Sequence, residues 1–203
     1  MDRDKFMMYV YELDNMTKYS IMSFNSAYTY LKEMDTNPNR ENYSENMDAF
    51  WYFLQTGVNY SANVSKLLWP SYTSKRLSDG TYKPFNKKIQ NYINERLFLR
   101  ETLGINEESS VKRKKLRNRF EHIDEYMEDH DFILYADRNI GNSIMDYRIE
   151  GVSEEEHRKK TFRFYNRVTT ELIFYGESMF IKQLFEDMVD IREKVISWKE
   201  HNR

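Results

Sequence analysis

The 203-residue chain contains no cysteine, which excludes disulfide bonds, cysteine-based zinc sites and a thiol nucleophile. It has only three prolines and six glycines, and so few helix breakers favour long helices over a strand-rich fold. No apolar run approaches the roughly 18–20 residues that cross a bilayer, so we expect no membrane contact. The lack of cysteine fits a reducing compartment, and we predict a cytoplasmic location.

The chain also lacks a large excess of charge of either sign. Its 31 lysines and arginines face 33 aspartates and glutamates, which leaves a formal net charge of -2. A nucleic-acid-binding surface would therefore have to be a local basic patch. His130, His157 and His201 have no ligand partners at metal-binding spacing, so we expect no metal and no cofactor.

Apolar residues recur at helical spacing over several long segments. The pattern predicts helices over residues 5–34, 44–68, 84–103, 111–128 and 178–198, with Tyr28 and Phe180 among the inward-facing residues. Within 131–176 short apolar runs are typical of strands, and 139–142 is typical of a turn. We predict a single all-α domain over residues 1–203. It is an up-and-down bundle of four to five long helices, with a small β-hairpin insertion before the last helix.

The helix predicted over 111–128 begins with a dense run of positive charge. Six of the eight residues 112–119 are basic: Lys112, Arg113, Lys114, Lys115, Arg117 and Arg119. A phosphodiester approaching this helix would meet a concentrated positive patch, to which Lys66, near the end of the second helix, is a candidate addition. A charge run alone is more often a solvated face balanced by neighbouring acidic residues.

A histidine inside this run favours a chemical interpretation. On a helix Asn118 and His122 share one face, and Arg117 and Glu121 share the adjacent one. Imidazole titrates near neutrality, so it can accept a proton from a ribose 2′-hydroxyl or donate one to a leaving 5′-oxygen. Arginine stays charged and can stabilise negative charge on the phosphate. Because one imidazole cannot easily do both jobs, a catalytic motif predicts a symmetric dimer.

The string Arg117-Asn118-x-x-x-His122 resembles the R-x(4–6)-H motif of the HEPN superfamily, and the resemblance covers most of residues 45–200. It implies an all-α bundle and a metal-independent endoribonuclease of toxin–antitoxin or phage-defence systems, with the site in a homodimer cleft. His122 would be the general acid and base and Arg117 the phosphate ligand, while Asn118 orients the pair and Glu121 holds Arg117. Toxins silenced by a nucleotidyltransferase carry tyrosine two residues after the histidine. In this chain Asp124 occupies that position, which argues against silencing by modification of such a tyrosine. A protein antitoxin remains a candidate partner.

Two other interpretations use the same residues. The chain could be a non-catalytic HEPN-like module that binds RNA, a nucleotide or a protein. It could also be a structural homodimer in which Arg117 and His122 only satisfy a buried polar network. Outside the motif, Arg100 is either a buried ion-pair partner or a phosphate ligand, and we favour the structural role.

Overall fold

The computed structural model describes residues 1–36, 40–72, 83–113, 137–147, 149–174 and 176–202, with the backbone alone at 40 and 41. In chain order these residues form α1 (Arg3–Thr36), α2 (Arg40–Leu68), α3 (Lys87–Leu103), the 3-10 turn η1 (Ser110–Lys112), β1 (Asn139–Gly141), the 3-10 turn η2 (Ile144–Tyr147), α4 (Glu154–Lys159), β2 (Arg163–Asn166), β3 (Glu171–Phe174), β4 (Glu177–Phe180) and α5 (Ile181–His201). The fold is mainly helical, with a small sheet before the last helix. No helix in the described ranges is both long and apolar enough to cross a membrane.

The long helices begin and end close to where apolar periodicity predicts. The third helix starts three residues later than expected, because the side chain of Asn86 caps it by accepting a hydrogen bond from the amide of Ile89 at 2.9 Å. Its end at Gly104 follows the prediction. That glycine has φ +65°, a left-handed conformation that costs glycine little.

The helix predicted from Val111 does not begin there. Residues 110–112 form a single 3-10 turn, and Arg113 is extended, with φ -64° and ψ 115°. The side chain of Ser109 caps this turn by accepting a hydrogen bond from the amide of Val111 at 3.3 Å. The remainder of the predicted helix, from residue 114, lies outside the described residues.

The predicted hairpin is part of a four-stranded sheet in the order β1-β2-β3-β4. β1 pairs with β2 in parallel, and the β2–β3 and β3–β4 pairs are antiparallel. The turn predicted at 139–142 is wrong, because residues 139–141 pair with β2. The last helix was predicted from residue 178, but residues 177–180 form β4 and the helix starts at Ile181.

The sheet is covered on both faces. Side chains alternate along a strand, so Tyr165, Leu172 and Phe174 join the main core, which lies among α1, α2, α3 and α5. Phe164 and Ile173 point to the other face, where they pack with Ile144 in a second, smaller cluster. The sheet is therefore a layer between the long helices and the η2 region.

The two longest helices pack closely along a stripe of small residues. The hydroxyl of Ser20 on α1 donates to the carbonyl of Gly57 on α2 and lies 2.9 Å from the hydroxyl of Ser61. A Cβ atom at Gly57 would lie 2.6 Å from the ring of Phe24. Glycine is required at position 57 because a residue without a side chain leaves room for the Phe24 ring of α1 to contact the backbone of α2.

Two aromatic side chains do not face inward as predicted. Tyr28 is 67% exposed on α1, and Phe180 is 47% exposed at the end of β4. Phe180 was assigned by helical spacing, but it lies in a strand, where alternation buries Met179 and turns Phe180 outward.

Candidate functional site

The predicted catalytic residues Arg117, Asn118, Glu121 and His122 lie outside the described residues. So do three of the predicted RNA-binding residues, namely Lys114, Lys115 and Arg119. The structure places Lys66, Lys112 and Arg113, together with both flanks of residues 114–136. The contacts of these two flanks show which described residues adjoin residues 114–136 in the sequence and what holds them in place.

The N-terminal flank is held by a polar cluster centred on Glu107. Its carboxylate accepts from the indole of Trp69 at 3.0 Å and from the ammonium of Lys112 at 3.1 Å, and it is also paired with Arg100. Burial by itself would raise the pKa of Glu107. The hydrogen bonds from Arg100, Trp69 and Lys112 outweigh burial and lower that pKa to about 2.

Arg100 has the structural role favoured from the sequence. Its side chain is 13% exposed, and besides the pair with Glu107 it donates to the carbonyl of Leu68 at 2.6 Å. Its guanidinium also lies 5.7 Å from the centre of the Trp69 ring. The arginine therefore satisfies an otherwise open carbonyl at the end of α2 and ties α3 to it.

A second contact fixes the turn before the motif. The carboxylate of Asp187, on α5, accepts from the amide of Ser110 at 2.6 Å and from the hydroxyl of Ser109 at 3.3 Å. Val111 is buried beneath this contact. The chain thus reaches Arg113 with its backbone anchored to α5.

The three described basic candidates differ in what their charges do. The ammonium of Lys112 is committed to Glu107, whose backbone carbonyl it also contacts at 3.2 Å. Arg113 is exposed and has no ionic partner within the described part of the chain. Lys66 is exposed in the last turn of α2, one turn before Trp69, and it is engaged in an interaction of its own. Of the three, only Arg113 offers an uncommitted charge to a phosphate.

The C-terminal flank is anchored as well. The guanidinium of Arg163 on β2 donates to both carboxylate oxygens of Asp137, at 2.7 and 2.9 Å. Arg138 is paired with Asp48 through its side chain, and its carbonyl accepts from the indole of Trp51 at 3.0 Å. Arg138 has φ +59°, a conformation that these contacts at both ends hold in place.

Both flanks therefore lie against α2. Ser110, Val111 and Arg113 border a small cleft with Ser61 and Ala62, whereas Arg138 meets the helix at Trp51. Trp51 and Ser61 are ten positions apart, which corresponds to roughly 15 Å along the helix. The two described flanks of residues 114–136 therefore contact the same helix at two separate points.

The two described histidines, His157 and His201, each contact a backbone carbonyl. His157 is fully buried on α4, where Nε2 lies 2.9 Å from the carbonyl of Tyr147. His201 is exposed at the end of α5, and its Nδ1 lies 2.7 Å from the carbonyl of Ser197. Within the described ranges no three histidine, aspartate or glutamate side chains are grouped so that they could hold a metal ion.

Sequence analysis missed the two carboxylates that hold the N-terminal flank. Glu107 was taken only as part of the acidic balance to the basic run, and Asp187 had no assigned role. Asp187 lies on α5, close to the inward-facing stripe, and a carboxylate beside an apolar stripe was the available signal that it has a buried partner.

Comparison of the chain with protein-family models, with curated proteins and with solved structures gives no match.

Proposed function

We propose that the protein is a metal-independent endoribonuclease of the HEPN type, present in the cytoplasm. The observation that carries the proposal is the motif Arg117-Asn118-x-x-x-His122, embedded in a run in which six of eight residues are basic. The mainly helical fold is compatible with it, and so is the exposed, uncommitted charge of Arg113 just before the motif. The up-and-down arrangement of four to five long helices, one of them carrying the motif, is part of the same proposal.

In the proposed reaction the ribose 2′-oxygen attacks the adjacent phosphorus and the 5′-oxygen leaves. His122 takes the 2′-hydroxyl proton, and the same residue of a second copy donates a proton to the leaving oxygen. The products are a 2′,3′-cyclic phosphate and a free 5′-hydroxyl. Arg117 neutralises the charge that accumulates on the phosphate, Asn118 orients the pair, and Glu121 positions Arg117. The protein therefore acts as a homodimer, and a toxin of this kind would be controlled by a protein antitoxin.

The proposal is tested by incubating the purified protein with a mixed RNA pool in EDTA. We expect the wild type to cleave, and His122→Ala and Arg117→Ala each to lose about 100-fold or more of the rate. Removing a proton-transfer group has this order of effect, and so does removing a group that stabilises transition-state charge. His201→Ala is the matched control, because this histidine is exposed and remote in sequence, and it should cleave like the wild type. Light scattering on the same samples should give the mass of two chains.

The outcomes separate the proposal from its alternatives. Cleavage that survives both motif substitutions would overturn it, because the activity would then come from elsewhere. RNA binding that depends on Arg117 and Arg113 but yields no cleavage would favour the non-catalytic binding module. A folded dimer that neither binds nor cleaves RNA would leave the motif a structural role only.

A further inference from the structure

A cavity of about 320 Å³ lies where α1, α2, the β2–β3 turn and the first turns of α5 meet. None of its lining residues belongs to the flanks of residues 114–136. Cavities of this size are at the lower end of those that hold small molecules. It is therefore a candidate ligand site independent of the proposed cleavage motif.

The walls of the cavity are apolar and rich in aromatic rings. The lining side chains that carry no charge or polar group are Phe24, Ala27, Leu31, Phe50, Leu54, Ile181 and Phe185. Phe24 and Phe185 meet edge to face with ring centres 6.4 Å apart, and Phe50 meets Tyr165 in the same way at 5.2 Å. Rings in these orientations present both faces and edges, which suits a flat aromatic guest.

Several polar groups at this cavity are not used by the fold. The hydroxyl of Tyr165 and the side-chain amide of Asn25 have no hydrogen-bond partner among the described residues. Nε of Arg167 is buried and also lacks one, although the other end of that guanidinium is paired with Asp35. A buried donor without a partner costs free energy, so a ligand that accepts a hydrogen bond here would be favoured.

The charged side chains that line the cavity are all positive. Arg167 and Lys182 line it, and no carboxylate does. Lys182 is 72% exposed, and its nearest carboxylate, that of Glu186, is 4.0 Å away. The amide of Lys182 is held by the side chain of Thr170, which places the lysine at the mouth of the cavity. The excess positive charge favours an anionic group at the mouth, above an apolar interior.

We propose that this cavity binds a small molecule with a flat aromatic body and one anionic group. The rings of Phe24, Phe50 and Phe185 would enclose the body, and Lys182 and Arg167 would bind the anion. Tyr165 and Asn25 would supply hydrogen bonds that define the ligand's orientation.

The probes for the test are 2-naphthoate and its neutral isostere 2-naphthamide, titrated by calorimetry into the 203-residue protein. We expect saturable binding of the carboxylate at least about 10-fold tighter than that of the amide, the effect of one charge-assisted hydrogen bond. Lys182→Gln should remove most of that preference, and Lys182→Arg, which keeps the charge, should restore it. Ala27→Met should weaken both probes because it fills the cavity.

Thermal melting of each variant checks that it remains folded, so that loss of binding reports on the cavity. Three results would overturn the proposal: no saturable binding of 2-naphthoate to the wild type, equal affinity for acid and amide, or unchanged binding by folded Ala27→Met protein. RNA cleavage by the Lys182 and Ala27 variants should equal that of the wild type. Failure of this proposal is thus distinct from failure of the ribonuclease proposal.

Discussion

The carboxylate of Glu107 joins three parts of the chain. Through Trp69 it is bonded to the end of α2, through Arg100 to α3, and through Lys112 to the turn that precedes the basic motif. Its side chain is 45% exposed, so each ion pair is partly screened by water. Hydrogen bonds to a shared carboxylate also fix geometry, and here they hold the turn that precedes residue 114.

We expect Glu107→Gln to lower the free energy of unfolding at neutral pH by about 1 kcal/mol, a value reduced for the exposure of the side chain. The pKa of Glu107 is about 2 in the folded protein against an ordinary value of 4.5. Its contribution is therefore complete above about pH 5 and is lost as the pH falls toward 2. Urea unfolding at neutral pH and at about pH 3 measures this, and the variant should lose less stability on acidification.

Glu108→Gln is the matched control, because this neighbouring carboxylate is exposed and has no ion pair with a described residue. The free energy of unfolding of the Glu108→Gln variant should depend on pH as that of the wild type does. Equal acid sensitivity of the wild type and Glu107→Gln would show that the cluster does not stabilise the fold.

At the scale of elements, the contact between α1 and α2 organises the helical part of the protein. Each helix spans about 40–50 Å, and they meet along the stripe that contains Ser20, Gly57 and Ser61. Both helices also form ion pairs with residues outside the helical part of the protein. Asp35 on α1 pairs with Arg167, and Asp48 on α2 pairs with Arg138. A change in the distance between α1 and α2 would therefore reach both the cavity and the C-terminal flank of the motif.

Gly57→Ala tests this packing, because two effects of opposite sign compete. Helix propensity alone would stabilise α2 by about 1 kcal/mol. The new Cβ would lie 2.6 Å from the buried ring of Phe24, and such overpacking costs about 1–3 kcal/mol. We expect a net loss in the free energy of unfolding, measured by urea titration.

Phe24→Leu in the Gly57→Ala background should recover part of the loss, giving a cost below the sum of the two single changes. Asn59→Ala, at an exposed position of α2, should be neutral or stabilising. Stabilisation by Gly57→Ala would show that the two helices can separate at little cost.

At the scale of the whole molecule, one core joins the helices to the sheet. Residues of α1, α2, α3 and α5 and of all four strands contribute to a single cluster. The three tryptophans lie in different parts of this core. Trp51 adjoins the sheet through Arg138, Trp69 adjoins the Glu107 cluster, and Trp198 lies with its ring centre 4.9 Å from that of Phe6.

A continuous core predicts that the protein unfolds as one cooperative unit. Variants that each keep one tryptophan, with the other two replaced by phenylalanine, should show the same urea midpoint by fluorescence as by far-UV circular dichroism. Agreement among the probes within each variant would support the single-domain prediction. An earlier transition reported by Trp51 alone would instead mean that the sheet unfolds independently of the helices.

The strand predictions show where local pattern is insufficient. β2 and β3 lie within residues 131–176, where short apolar runs predicted strands. β1 has only three residues, two of which, Asn139 and Gly141, favour turns, so its strand conformation depends on pairing with β2. β4 ends in Phe180, whose apolar side chain fitted the helical pattern of α5 equally well. Short elements contain too few residues for periodicity to identify them.

The sequence by itself determined the approximate bounds of α1 and α2 and most of their inward-facing residues, because apolar periodicity over about thirty residues specifies both. It also determined the chemistry open to Arg117, Asn118 and His122, since residue type defines what can titrate and what stays charged. Only the tertiary structure decided that Glu107 and Asp187 hold one flank of the motif and Arg163 and Asp48 the other. Only it produced the cavity lined by Tyr165, Arg167 and Lys182. These residues come from elements far apart in the chain, and contacts between distant segments leave no local pattern to be read.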